Sequence, residues 1–138
     1  MNEPVWTLVD SNIWLDLFGD DQKWADWSER ALAKCYEAGP LCINPIIFAE
    51  VSVRFDAVEP LEALMPEEQA VREPLPYEAA FLAGKAFAIY RKRGGTKRSP
   101  IPDFYIGAHA AVRGYRLLTR DTARFTTYFP KLDVIGPD

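Results

Sequence analysis

The 138-residue sequence predicts an α/β fold in which a mainly parallel sheet is flanked by helices. Two observations predict it. Short apolar runs rich in β-forming residues, at 5–9, 41–43, 116–118 and 133–135, are separated by longer segments whose apolar residues recur at three- and four-residue intervals. Strands separated by helices tend to pair in parallel, because each helical crossover brings the next strand back to the same edge of the sheet. With 49% hydrophobic and 13% aromatic residues the chain fills one core, so a single domain over 1–138 is expected.

The first strand, VWTLV, runs straight into Asp10-Ser11-Asn12 and a further apolar segment. Over 23–37, Trp24, Trp27, Ala31 and Cys35 fall on one side of an amphipathic helix, which Gly39-Pro40 terminates. After the strand at 41–43, Pro45 suits a first helical position and opens a helix towards Phe55. Pro60, Pro66 and Pro74 break up the stretch 57–74 around Leu61, Leu64 and Met65, predicting a short helix and then a connection. A long helix follows over 77–93, with small residues at Ala80, Ala83, Gly84 and Ala88, and Gly94-Gly95 stops it. Pro102 opens a helix to Arg113 that is apolar nearly all round through Phe104, Ile106, Ala108, Ala110, Ala111 and Val112, so it packs on both sides; Gly114 caps it.

Several function classes are disfavoured by composition. The amino-terminal residues lack the basic and apolar regions of a signal peptide, and no apolar run approaches the roughly 18 residues that span a bilayer, so a soluble, cytoplasmic protein without a membrane role is expected. Cys35 and Cys42 lack metal-type spacing and are expected to be reduced packing residues. His109, the single histidine, lies on the apolar helix, which argues against histidine-dependent triads and zinc sites. The net charge of −4 and pI near 5.1 have the wrong sign for gripping nucleic acid by bulk electrostatics. Arg91, Lys92, Arg93, Lys97 and Arg98 interrupt that acidity just before Asp103, a pattern that equally suits a helix end whose cations complement the dipole.

Four acids stand out because they border apolar elements or share their faces. Asp10 closes the first strand, at the carboxyl edge where open α/β sheets bind ligands, and also suits a helix N-cap. Ser11 and Asn12 can orient it in either role. Glu50 shares a helix face with Ile46, Ile47 and Val53, which calls for a buried ion pair with an arginine or for a metal or water-positioning role. Asp103 occupies the first turn after Pro102, where the dipole favours a carboxylate, yet the helix reads as buried. Asp121 follows the strand at 116–118 and also suits the cap of a brief helix ending near Phe125. Converging carboxylates are costly to desolvate without positive charge between them, and an all-oxygen donor set selects Mg²⁺ or Mn²⁺.

In this order and spacing, LVDSNIW, the acid of FAEV, PDFYIGAHA and LLTRDTARF together resemble PIN-domain ribonucleases, most closely the VapC-type toxins of toxin–antitoxin pairs, over nearly the whole chain. The resemblance implies a three-layer α/β/α sandwich that binds one or two Mg²⁺ or Mn²⁺ ions and hydrolyses RNA phosphodiesters with a metal-activated water, leaving a 5′-phosphate and a 3′-hydroxyl. Carried over by position, Asp10, Asp103 and Asp121 hold metal directly or through water, and Glu50 holds metal or orients the attacking water. Ser11, Asn12 and Thr119 support these acids. Arg91, Lys92, Arg93, Lys97, Arg98 and Arg124 then become candidates for steering the RNA backbone. A homodimer and a cognate antitoxin laid over the acidic groove are the implied partners, with the helices on either side of Glu50 as dimer surfaces.

Two alternatives differ in class. A receiver-like, Mg²⁺-binding signalling domain needs paired acids after the first strand and a lysine near the end of a late strand, whereas here the strand ends Asp-Ser-Asn and Lys131 precedes its strand. A catalytically silent PIN-like RNA-binding module fits poorly with the presence of all four acids.

Overall fold

A computed structural model describes residues 3–137 of the chain. Its elements are, in order, β1 (Thr7–Val9), α1 (Ser11–Phe18), α2 (Ala25–Ala38), β2 (Leu41–Ile43), α3 (Pro45–Ser52), α4 (Val58–Leu64), β3 (Val71–Arg72), α5 (Tyr77–Lys92), α6 (Pro102–Arg113), β4 (Arg116–Leu118), α7 (Ala123–Tyr128) and β5 (Val134–Ile135). The strands form one sheet in the order β3-β2-β1-β4-β5, every pair parallel. The fold is the expected three-layer α/β/α sandwich with helices on both faces.

Local chemistry sets most element starts. The Asn44 side chain accepts a hydrogen bond from the Ile47 N–H at 2.9 Å, and Pro45 fills the first position of α3, where a missing N–H costs nothing. Gly114 ends α6 at φ 72, a left-handed cap that glycine enters without a Cβ penalty. The first strand is shorter than the apolar run at 5–9, because its ladder begins where the Thr7 N–H meets the Pro40 carbonyl and Pro40 has no N–H to return. The run at 133–135 likewise shortens to Val134–Ile135.

Two stretches carry elements that the sequence left unassigned. The apolar segment after Asp10 is the helix α1, and the connection after α4 contains β3, two residues that pair with Cys42 and Ile43. A strand that short has no period of its own, and its pairing alone makes it a strand.

The main core lies around Leu8, Val9, Ile13, Cys42, Ile43, Ile47, Ile106, Leu117 and Leu118, all at most 1% exposed. A second cluster joins α5 and α6 to the segment after α7, with Ala79, Ala83 and Ala86 letting α5 approach Phe104 and Ala108 closely. Of the small residues noted in the sequence, Ala83 is buried, while Gly84 and Ala88 face solvent. Six α6 residues are buried, Phe104 completely, which is worth about 1.5–3 kcal/mol for that ring alone. Cys35 and Cys42 are buried, free thiols. Among the described residues no helix is long and apolar enough to cross a membrane.

Candidate functional site

The chain runs from β1 to β2 on one side and reaches β4 on the other, so the carboxyl ends of β1 and β4 flank the point where strand order reverses. Connections leave in opposite directions there and open a crevice. Asp10 follows β1 at that point, and Thr119, Arg120 and Asp121 follow β4.

Asp10 is both a helix cap and a member of the acidic group, so its two sequence readings coexist. Its Oδ1 accepts from the Ser11 N–H at 2.7 Å, and its Oδ2 accepts from the Thr119 hydroxyl at 2.8 Å. The Asn12 amide reaches Thr119 Oγ1 at 3.2 Å and Asp10 Oδ2 at 3.5 Å. Burial pushes the Asp10 carboxyl up to about 7 against those hydrogen bonds, and the charges of Asp103 and Glu50 push the same way.

Glu50 projects from α3 and accepts from the Ser11 hydroxyl at 3.0 Å, so one serine touches two acids. Burial raises its pKa and Asp103 adds to the rise. The ion-pair alternative is overturned: among the described residues the two salt bridges are Arg72–Glu62 and Asp16–Arg120. Val53 does not share the buried face, being 82% exposed, because α3 ends at Ser52.

Asp103 lies in the first turn of α6, where burial raises its pKa, Arg124 opposes the rise and Asp121 reinforces it. Asp121 is exposed, and its N–H donates to Thr119 Oγ1 at 3.1 Å. It does not cap α7, because Thr122 occupies that position. Asp10, Glu50, Asp103 and Asp121 thus come from four separate parts of the chain and are linked electrostatically. Among the described residues, no three His, Cys, Asp or Glu side chains gather tightly enough to enclose a metal ion by themselves. The set is all oxygen, charged alike and open on the Asp121 side. That chemistry fits a hard divalent cation that keeps some of its waters.

Of the cationic candidates, Arg124 is the one whose charge reaches the acids, and its guanidinium also lies 6.0 Å from the Tyr90 ring and 5.9 Å from that of Phe104. Arg91 bonds the Lys97 carbonyl at 2.8 Å, and Arg93 lies 5.4 Å from the Tyr128 ring. Lys92, Lys97 and Arg98 are exposed. His109 is fully buried against Asn44, whose amide donates to Nδ1 at 2.9 Å, and burial holds its pKa down, so it stays neutral.

Sequence reasoning missed Asp16 and Arg120. Asp16 is buried on α1 and carries a two-pronged arginine contact, Nε to Oδ2 at 2.6 Å and Nη2 to Oδ1 at 2.9 Å, with the Ser28 hydroxyl also on Oδ2 at 2.8 Å. The signal that singles out Glu50, a charge spaced three residues from a core aliphatic, is present here as Ile13 and Asp16.

Curated protein sequences yield no match to this chain. Among solved structures, it is similar to a chain of VapBC2 from Rickettsia felis, solved with a promoter DNA fragment, at 16% identity and TM-score 0.74, covering 97% of this chain and 100% of that one. VapBC-1 from nontypeable Haemophilus influenzae gives 18% identity and TM-score 0.71 over 96% and 98%. A toxin–antitoxin complex from Klebsiella pneumoniae gives 24% and 0.64 over 96% and 98%. At such identities the likeness carries the fold. The PIN domain family matches residues 7–128, from the first residue of β1 to the last of α7 with all four acids inside, and the chain therefore belongs to the PIN domain family.

Proposed function

We propose that this single-domain chain is a Mg²⁺- or Mn²⁺-dependent endoribonuclease and the toxin of a VapBC-type toxin–antitoxin pair. The observation that carries the reading is Asp10: a buried carboxylate that has no cationic partner among the described residues, with the charges of Glu50 and Asp103 pressing on it. A bound divalent cation supplies the missing charge, an acidified water as nucleophile and a counter-charge for the phosphate. Asp10, Asp103 and Asp121 are the residues that would hold it, and Glu50, with Ser11 on its Oε1, holds the cation or accepts the proton of the attacking water. Thr119 and Asn12 keep Asp10 oriented. Arg124, beside Asp103, offers a contact for the scissile phosphate or its neighbour, and the exposed cations at 91–98 extend that path. Cleavage leaves a 5′-phosphate and a 3′-hydroxyl.

The same charge imbalance favours a cognate antitoxin that lays a cationic side chain over the acids. Similarity to proteins solved as VapBC and toxin–antitoxin complexes supports this reading. A homodimer is supported by large apolar side chains left in solvent, Val53 just beyond α3 and Tyr77 and Phe81 one turn apart on α5. A cytoplasmic location follows from an RNA target.

The test is incubation of the purified chain, free of antitoxin, with structured RNA in Mg²⁺, Mn²⁺ or EDTA, for wild type and Asp10→Asn. Cleavage confined to wild type with metal supports the reading; cleavage that survives both EDTA and the substitution sinks it. A receiver-like module would instead take up label from a small phosphoryl donor without cutting RNA.

A further inference from the structure

We infer that Arg120 and Asp16 form a latch that positions the β4–α7 segment for cation binding, making both of them positioning residues; this rests on the metal-nuclease reading above. The segment 119–122 has no regular secondary structure, yet it carries Thr119, which orients Asp10, and Asp121. Irregular backbone at a sheet edge keeps its course only where side chains satisfy its polar groups.

Two anchors hold it, one through its backbone N–H groups and one through the Arg120 side chain. Asn12 Oδ1 accepts the Arg120 N–H at 3.2 Å, and Thr119 Oγ1 accepts both the Asn12 amide and the Asp121 N–H. The Arg120 guanidinium grips Asp16 through two parallel bonds and lies 5.1 Å from the Trp24 ring. Asp16 is itself fixed by Ser28 of α2. The carboxylate and guanidinium forks match in only one orientation, so this contact sets direction as well as distance.

Asp10 caps α1, and Asp16 sits six residues further on, about 9 Å along the axis at 1.5 Å per residue. One rigid helix therefore bears an acid of the site and the anchor of the loop that supplies another. Arg120 lies between Thr119 and Asp121 in the chain, so displacing it moves both neighbours. Asp121, exposed and held through its backbone N–H, depends on the latch most.

The experiment measures Mn²⁺ affinity by titration calorimetry on the full chain, alongside RNA cleavage, for wild type, Arg120→Met, Arg120→Lys, Asp16→Asn, Asp10→Asn and Leu61→Ala. Leu61 is a core residue of α4, an element that contributes nothing to the network, and its truncation controls for lost stability. Arg120→Met and Asp16→Asn are expected to weaken Mn²⁺ binding about 10- to 100-fold, the usual cost of removing a group that orients a ligand. Arg120→Lys, which keeps the charge and loses the fork, falls between, and Leu61→Ala binds as wild type does. Should Arg120→Met fail to fold, Arg120→Lys and Asp16→Asn carry the comparison. Unchanged Mn²⁺ affinity in the folded latch variants, with Asp10→Asn defective, overturns the latch and leaves the nuclease reading standing. A weakening matched by Leu61→Ala also overturns it. A wild-type chain that neither binds Mn²⁺ nor cuts RNA overturns both.

Discussion

Asp10 and Asp16 stand at the cap and in the last turn of one eight-residue helix, 4% and 3% exposed, and the chain treats them in opposite ways. Asp16 receives a guanidinium and a hydroxyl from within the fold. Asp10 receives a hydroxyl, a backbone N–H and a weak amide contact, and faces two further acids. Burial is the same, so burial alone does not mark a functional carboxylate. An acid compensated inside the protein is structural, whereas one buried beside like charges keeps its place for a charge brought from outside.

The largest effect that bears on this contrast is expected at Asp10. Asp10→Asn retains the cap and removes the charge, so cleavage in Mn²⁺ drops more than about 100-fold, beyond the usual cost of losing a supporting partner. The metal-free variant melts above wild type at pH 8, because a buried repulsion is gone. A variant that melts lower there, in a calorimetric scan without metal, breaks the contrast.

Arg120→Met answers from the other side and is expected to cost about 2–3 kcal/mol in urea unfolding. That is below the ~3–5 of a fully buried pair, since the Arg120 side chain is 29% exposed. Adding Asp16→Asn to it recovers part of the loss. No recovery in the double variant would mean that the pair is not the source of the stability.

The pH dependence of metal-free stability has a definite sign. Asp10 titrates near 7 in the fold and near the ordinary 3.8 when unfolded, so between those values the folded chain holds the extra proton. Stability then falls as pH rises through that window, by a few kcal/mol at about 1.4 per unit, and levels off above 7. The raised pKa values of Glu50 and Asp103 act in the same direction. Saturating Mn²⁺ flattens the slope in thermal melts recorded from pH 4 to pH 8.

Glu50→Gln is expected to lower cleavage about 10- to 100-fold with little change in melting temperature, since the half-buried carboxylate loses charge but keeps an acceptor for Ser11. At the small end, Arg124→Gln weakens RNA binding and reduces the salt slope of log affinity by about one. An unaltered slope removes Arg124 from the phosphate path.

Much of this architecture is legible in the sequence where causes are local. The strands at 41–43 and 116–118 and the helix at 102–113 fall where their residues put them, because prolines, glycines and apolar spacing act within a few positions. The reading weakens where an element depends on a remote partner. The helix after Asp10 is only eight residues long, although Ile13, Trp14, Leu17 and Phe18 follow a helical spacing, and β3 is two residues long. The acids were legible as charges out of place, but which of them would be compensated was not: Glu50, read as one half of an ion pair, has no such partner among the described residues, whereas Asp16 is paired with Arg120.

By itself, then, the sequence determined the α/β class, the element starts set by Asn44, Pro45 and Pro102, and the four acids. Only the tertiary structure decided that Thr119 orients Asp10 across 109 residues and that Arg120 compensates Asp16 across 104. The physical reason is range. Propensity and capping are felt within a turn or two, while the order β3-β2-β1-β4-β5 sets β4 beside β1 and so chooses which distant charges meet.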